Sequence, residues 1–463
     1  MNPKHQPAPA TKAISPAIGM STRAALAWLL VIGAITHLTG LTYPRQVVFD
    51  EVHWGKFLSD YCCTGQRLFD VHPPHAKLLL ALGAKLGGYD GSFPFATIGQ
   101  PYLEQPLFAL RLIPALAGMA VPPLVFLLMQ RLGGSQPVAW IGGVLLAFDN
   151  ALLLESHVLN LDGILVAAIL ASLVCLLQAD RESARPRAVA FILAAGALAG
   201  FAAGTKFNGL VAFGMITIYV VVRSAARPAA AGKYLAAWLL AGGAALLVYG
   251  GGWAIHFALL PNPGPGDAFY STTGHFFTDL RTVHRTMWSA NLNLAQTHID
   301  ASRPWTWPFM KVAPFYWVGP GASIYLVGNP LVWWGSSLLL VVLLTNNVLI
   351  RVTRLRVDGV RGRAMLWLPL TAYAMSYLPL FPVSRVLFLY HYLTPLVFGV
   401  VYVLLWLDRA GWIRPGRVRD QRVSYYGVIA ATVVAFLLVS PLTYGYSAGQ
   451  YDEWLAAIVR SWR

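Results

Sequence analysis

The stretch FDEVHWGKF puts Asp50, Glu51, His53, Trp54 and Lys56 side by side in a chain that is only 11% charged. Adjacent carboxylates leave the backbone in different directions, so one can take a proton while its neighbour is tied to a cation or an amide. The bland alternative is a solvated helix start, with Glu51 in a first turn where acids favour the helix dipole. A second set of groups, Arg111, Lys206, Arg385 and His391, falls inside or beside long apolar runs. A cation at membrane depth costs about 2.5–3.5 kcal/mol on insertion scales, so each needs a partner or a task. Lys206 can snorkel and Arg111 can pair with an acid of its own bundle. Together with Arg385, however, they suit a phosphate whose lipid tail stays in the bilayer.

The elements that must carry these groups are membrane helices. With 463 residues, 57% of them hydrophobic, 16 Trp and a mean hydropathy of +0.58, the chain reads as a multi-span membrane protein. Apolar runs of spanning or near-spanning length fall at 24–41, 107–130, 138–154, 159–178, 188–203, 207–222, 235–260, 331–350, 365–381, 386–407 and 423–440. The expected fold is therefore an all-α integral membrane protein of about eleven transmembrane helices. Residues 1–23 form a Pro/Ala-rich, disordered cytoplasmic tail, and 24–463 form the transmembrane domain. The first run has no A-x-A cleavage site after it and reads as a retained helix. With a cytoplasmic N-terminus, Arg131, Arg181, Arg223, Lys233, the arginines of RVTRLRVDGVRGR and those from Arg409 to Arg422 all fall inside, which is the positive-inside pattern. The net charge of +15 is thus a topological signal and an attraction to anionic membrane lipid, and nucleic acid is not an expected partner.

This topology leaves 42–106 and 261–330 outside as two long loops. The first adds Asp60, Asp70, His72 and His75 to the opening cluster, and its HAKLLLALGAKL is too short to span and suits an interfacial helix. The second is rich in His, Trp and Pro, and Trp305 and Trp307 serve equally as sugar or peptide platforms or as interface anchors. Loops this long are functional more often than connective. Three cysteines, Cys62 and Cys63 adjacent, build no disulfide framework and lack metal-site spacing, so they read as thiols near an interface. Asp149 and Asp162, near helix ends, are acids that bind substrate or neutralise a cation such as Arg111.

VVFDEVHWGKFLSDYCCTGQRLFDVHPPHAKLLLALG resembles the first luminal loop of the protein O-mannosyltransferases, the dolichyl-phosphate-mannose:protein mannosyltransferases. The likeness continues through FDNALLLESHVLNLDGIL, the lysine turn GTKFNGL, SRPWTWPF and RVLFLYHYLTP, in the family's order. Residues 261–330 are too few for the lectin-like repeat domain of eukaryotic members, which resembles the bacterial type. Two departures bear on acceptor or sugar preference: Glu155, Ser156 and His157 stand where the family usually has Gln-Ser-Arg, and His75 follows the prolines where Leu is common.

The resemblance implies a multi-span glycosyltransferase of the C type in the bacterial cytoplasmic (inner) membrane, its site facing the periplasm or cell exterior. The donor is then a polyprenyl-phosphate sugar, mannose, and the acceptor a Ser or Thr of exported proteins, with the secretion machinery as the partner that would hand them over. It implies Asp50 as the base, with Glu51 orienting the site or binding acceptor. Arg111, Lys206 and Arg385 become the cations for the departing lipid phosphate, with His391 and Tyr392 as their hydrogen-bonding neighbours. His53, His72, Asp162, Trp305 and Trp307 complete the substrate-binding candidates. Asp50, Glu51 and Asp162 are oxygen ligands suited to a divalent metal, but the resemblance argues against one, and no metal or cofactor is expected. Two rivals remain: a related transferase acting on an envelope glycan or lipid, and a transporter of an anionic solute. The transporter needs inverted repeats and broken helices at the midplane, and no halves of this sequence repeat.

Overall fold

The computed structural model describes residues 20–293, 297–353, 365–413 and 419–462. Most of the expected N-terminal tail and part of the arginine-rich segment after 350 lie outside the described residues. In chain order the helices are α1 (Thr22–Leu38), α2 (Glu51–Ser59), α3 (His75–Leu86), α4 (Leu107–Arg131), α5 (Gln136–Ala147), α6 (Asn150–His157), α7 (Asp162–Arg181), α8 (Arg185–Ala203), α9 (Leu210–Ala226), α10 (Ala231–Leu259) and α11 (Phe276–Asn293). A hairpin, β1 (Phe315–Gly319) and β2 (Ala322–Tyr325), precedes α12 (Pro330–Thr353), α13 (Trp367–Tyr377), α14 (Leu393–Ala410), α15 (Arg419–Tyr444) and α16 (Gln450–Ser461).

Every apolar run of the sequence falls on a helix or helix pair, but they differ in length. Seven helices are long and apolar enough to cross a membrane, and α5 with α6 makes an eighth span if the pair, bent by 56°, counts as one. Helix α1 and the described part of α12 are shorter apolar helices, and α13 has only 11 residues. The bend between α5 and α6 has a local cause. Asp149 caps α6 by accepting from Leu152 N at 2.9 Å, and its other oxygen accepts from Asn329 N at 3.1 Å and Trp333 Nε1 at 2.8 Å. The new helix start re-aims Glu155 to His157.

Small residues set one close helix contact. A Cβ on Gly196 or Gly200 of α8 would lie 2.1 and 2.3 Å from the carbonyl oxygens of Ala241 and Ala245 of α10, so only glycine lets these backbones meet. Helices α4 and α7 pack on each other at the centre, and α4 keeps Pro114, Pro122 and Pro123 inside its 25 residues, which neighbouring helices make tolerable. Helix α3 buries His75, Ala76, Lys77, Leu80, Ala81 and Ala84 while Leu82 and Leu86 stay exposed, an amphipathic packing that fits the interfacial reading of HAKLLLALGAKL. The antiparallel hairpin, with Gly319 opposite Ala322, is a departure from an all-helical expectation. Cys62 and Cys63 are not free thiols: they are joined to each other within the turn Asp60–Thr64.

Candidate active site

The chain enters α2 through an unusual backbone. Val47 and Val48 are buried, Phe49 adopts φ +41°, and Asp50 then sits at the N-cap with no side-chain cap bond while Glu51 begins the helix. The two carboxylates part company at this point. Glu51 is fully buried and accepts from Arg111 Nε (2.8 Å) and Nη2 (2.9 Å), Tyr102 Oη (3.0 Å), Val48 N (2.8 Å) and Leu159 N (2.9 Å). Arg111 spends its remaining donors on the carbonyls of Leu41, Tyr43, Pro44 and Gln46 at 3.2–3.3 Å. A guanidinium has five N–H groups, and these contacts use them. The expected phosphate role of Arg111 is therefore corrected: it is sealed in a loop-holding knot with no donor free. For Glu51, expected in the catalytic set, the geometry fits only the orienting alternative.

Asp50 is half-buried, and among the described residues no group donates a hydrogen bond to its carboxylate. Burial pushes it up to about 7; Lys206 and, more weakly, His298 pull it down, and Asp162 and Asp70 push it further up. Lys206 arrives from the turn after α8, 5% exposed, with Nζ 2.5 Å from Asp162 Oδ2 and 5.1 Å from the Tyr390 ring centre. Asp162, in the first turn of α7, thus neutralises Lys206 and not Arg111.

Arg385 is half-buried; its Nε donates to Asn291 Oδ1 at 2.9 Å and its Nη1 to Val386 O at 3.1 Å, which leaves Nη2 without a partner among the described residues. Asn291 of α11 also donates to Val71 O at 3.1 Å, so it ties the FDVHPP segment to Arg385. Burial, with Lys206, Arg385, Lys77 and His391 around it, holds His72 well below its ordinary value, and it is neutral. Its carbonyl accepts from Lys77 at 2.8 Å; Lys77 also pairs with Asp70 and lies 5.2 Å from the Phe57 ring centre. His391 stacks between Tyr390 (4.7 Å, 20°) and Trp307 (5.9 Å, 18°), Nδ1 held by Phe388 and Nε2 unpartnered.

Other expected residues lie elsewhere. Tyr392 is buried beside Trp333, with Oη 3.2 Å from Tyr373 Oη, so it faces the bundle and not the cations. Trp307 is fully buried and donates to Ser302 Oγ at 2.9 Å, which removes it as a sugar platform, whereas Trp305 is 59% exposed. His53 is exposed and its ring has no hydrogen-bond partner among the described residues. The departures at His75 and His157 are packing features. His75 wedges between Gly204 and Gly252 with Nε2 3.0 Å from Val248 O, and His157 Nε2 lies 3.0 Å from Thr39 O. Sequence reasoning missed Tyr390, Asn291 and Tyr316. Tyr390 lies in the RVLFLYHYLTP block, two residues before the tyrosine named there, and two residues of a 3-10 helix, about two thirds of a turn, separate their directions.

The arrangement has one half-buried carboxylate poised to ionise near neutral pH, one cation, Lys206, acting on it directly, and a second, Arg385, that shares His72 and Tyr390 as neighbours with that group. It suits proton abstraction next to an anionic leaving group. Two family descriptions tile the chain: "Dolichyl-phosphate-mannose-protein mannosyltransferase" matches residues 27–259, and "C-terminal four TMM region of protein-O-mannosyltransferase" matches 276–462. Dolichyl-phosphate-mannose–protein mannosyltransferase 4 of Candida albicans is 34% identical over 263 residues, 54% of this chain and 35% of that protein. The chain thus matches about a third of that curated relative's length. In fold, it superimposes on the Saccharomyces cerevisiae Pmt1–Pmt2 complex bound to the sugar donor with a TM-score of 0.87 at 19% identity, over 95% of this chain and 93% of that one. ArnT from Cupriavidus metallidurans bound to undecaprenyl phosphate gives 0.51 at 16% identity, over 95% and 76%. With both halves of the sequence matched, in order, by descriptions of one family, this chain belongs to the protein O-mannosyltransferases.

Proposed function

We propose that the protein is an inverting glycosyltransferase that moves mannose from a polyprenyl phosphate to Ser or Thr hydroxyls of exported proteins. The observation that carries this is Asp50: a carboxylate beside Lys206 and Asp162, without a hydrogen-bond donor among the described residues, and titrating near neutral pH. The relatives' names supply the donor and acceptor classes, since the Candida albicans relative is a dolichyl-phosphate-mannose–protein mannosyltransferase and the solved yeast complex is bound to the sugar donor.

In this reading the acceptor hydroxyl approaches Asp50, which takes its proton as the new C–O bond forms at the anomeric carbon. General-base help of this kind is worth about 10²–10⁴ in rate. The bond to the lipid phosphate breaks on the opposite face, so the anomeric centre inverts. The departing phosphate gains charge, and Arg385 Nη2 and Lys206 are the groups with capacity to meet it. Neutral His72 lies among the same cations and suits a hydrogen bond to sugar. No step requires a metal.

The site lies between residues 42–106 and 261–330, taken as the two outer loops of an eleven-span domain, 24–463, in a bacterial cytoplasmic membrane. Acceptors then come from outside, as an extended segment of an exported protein. Deleting the gene and comparing intact masses of exported proteins with those of the parent tests the reading. Loss of hexose on Ser or Thr, restored by purified enzyme with polyprenyl-phosphate mannose and a Ser/Thr peptide, is the expected result. Unchanged exported proteins with an altered envelope glycan or lipid would overturn the protein acceptor in favour of the related transferase.

A further inference from the structure

Glu155 of α6 is completely buried, and the mechanism above does not use it. Both of its oxygens are engaged. Oε1 accepts from the phenol of Tyr316 in a very short hydrogen bond, and Oε2 accepts from Asn160 Nδ2 at 2.6 Å. Tyr316 lies on β1, is equally buried, and reaches across to the first loop in two ways. Its ring stacks flat on Phe49, centroids 4.2 Å apart at 11°, and its carbonyl accepts from Phe49 N at 3.1 Å.

Phe49 is a residue whose backbone needs holding. Its φ of +41° lies in the left-handed region, which a bulky side chain occupies only where the surroundings over-determine it. The next residue is Asp50, and the direction of its carboxylate follows from the Phe49 backbone. One connected path therefore runs from the Glu155 carboxyl through the Tyr316 phenol and ring to Phe49 and on to Asp50.

We propose that Glu155 and Tyr316 are positioning residues for the base: Glu155 pins the Tyr316 phenol, and Tyr316, from the second long loop, clamps Phe49 so that Asp50 faces the acceptor hydroxyl. The inference rests on the reading of Asp50 as the base. It gives the Glu found where the family usually has Gln a task, since a carboxylate accepts from Tyr316 and Asn160 at once, whereas an amide accepts with only one of its two ends.

The test uses full-length enzyme in detergent with polyprenyl-phosphate mannose and a Ser/Thr peptide, and kcat is expressed per site that binds undecaprenyl phosphate, so that misfolded protein is not counted. Glu155→Met and Tyr316→Phe are each expected to lower kcat about 10-fold while donor KM stays within about twofold. The double variant should be no slower than the slower single variant, because the two side chains act through one another. Glu155→Gln, which keeps one acceptor for the phenol, should recover kcat to within about threefold of the parent. Unchanged kcat in both single variants, losses that multiply in the double, or a loss confined to donor KM each overturns the clamp. If Tyr316→Phe yields no binding-competent protein, the comparison of Glu155→Met with Glu155→Gln decides alone, equal kcat in the two overturning the clamp. Asp50→Asn run alongside separates the two levels: normal turnover there removes the base itself, whereas a dead Asp50→Asn beside a normal Tyr316→Phe removes only the clamp.

Discussion

Asp50 and Glu51 are neighbours with the same chemistry and opposite surroundings. Glu51 accepts five hydrogen bonds, two of them from a guanidinium that is itself saturated. Asp50 accepts none from the described residues. The same contrast separates the cations, since Arg111 has no donor to spare and Arg385 keeps Nη2 free of partners among the described residues. A buried charge that is fully met holds a loop in place, whereas one left partly unmet is available for a substrate. What distinguishes structural from chemical residues in this loop is their count of partners, and the experiments that follow try to break that distinction.

The largest effect is expected at the sealed knot. Removing one partner of a buried pair leaves the other uncompensated, at a cost of about 3–5 kcal/mol. Arg111→Met should therefore yield little folded protein, with a sharp drop in melting temperature by fluorescence-detected size exclusion, and adding Glu51→Leu should recover part of it. An Arg111→Met protein that melts normally and loses only donor affinity would return Arg111 to the phosphate site and dissolve the contrast.

Asp50→Asn should behave in the opposite manner, cutting turnover by about 100-fold or more with donor binding intact. The pH dependence has a definite sign. With the base near pH 7, kcat/KM should rise about tenfold per pH unit on the acid side and level off above about 7. Stability should run the other way. A carboxyl whose folded value lies above its ordinary 3.8 binds more protons folded than unfolded, so its contribution is lost as pH rises from about 4 through 7. Asp50→Asn should then melt higher than the parent at pH 8. A lower melting point there would mark Asp50 as one more structural acid.

Much of this was legible in the sequence because it is written in local runs. Apolar stretches gave the helices, and the FDEVHWGKF and FDVHPP blocks marked the loop that carries the polar cluster. What was not legible are facts of direction and long-range partnership. Nothing local says that Glu51 meets an arginine 60 residues on, or that Tyr316 and Glu155, 161 residues apart, share a hydrogen bond. The same holds within RVLFLYHYLTP, where adjacent aromatic positions turn to different faces, so that Tyr390 lies over Lys206 and Tyr392 enters the core. The sequence shows Arg111, Lys206 and Arg385 in or beside apolar runs, but whether each cation is already spent on carbonyls requires the fold.

A smaller effect is expected from the partly unmet cations. Arg385→Ala and Lys206→Ala should each weaken binding of undecaprenyl phosphate and lower kcat by about 10-fold, because they face charge that is present in the ground state and grows in the transition state. The two should differ in one respect. Lys206 leaves Asp162 unpaired and should also lower the melting temperature, whereas Arg385 gives up only Asn291 and its own neighbour's carbonyl. Full donor affinity in Arg385→Ala would put the phosphate elsewhere.

The smallest effect concerns the two tryptophans of SRPWTWPF. They are two residues apart on one 3-10 turn, and the turn sends them to different environments: Trp307 is wholly enclosed against His391, and Trp305 is 59% exposed. An exposed indole near a membrane surface anchors as readily as it binds, and exposed surface substitutions typically change stability by about 0.5 kcal/mol or less. Trp305→Ala should therefore leave the melting temperature and kcat unchanged within error, and its only expected signature is a rise of up to about threefold in acceptor-peptide KM, of the order of one weak aromatic contact. A larger rise, with donor KM constant, would make Trp305 a principal acceptor contact. A fall in kcat with both KM values constant would instead tie this exposed side chain to the chemistry, and partner count would no longer separate the two kinds of residue.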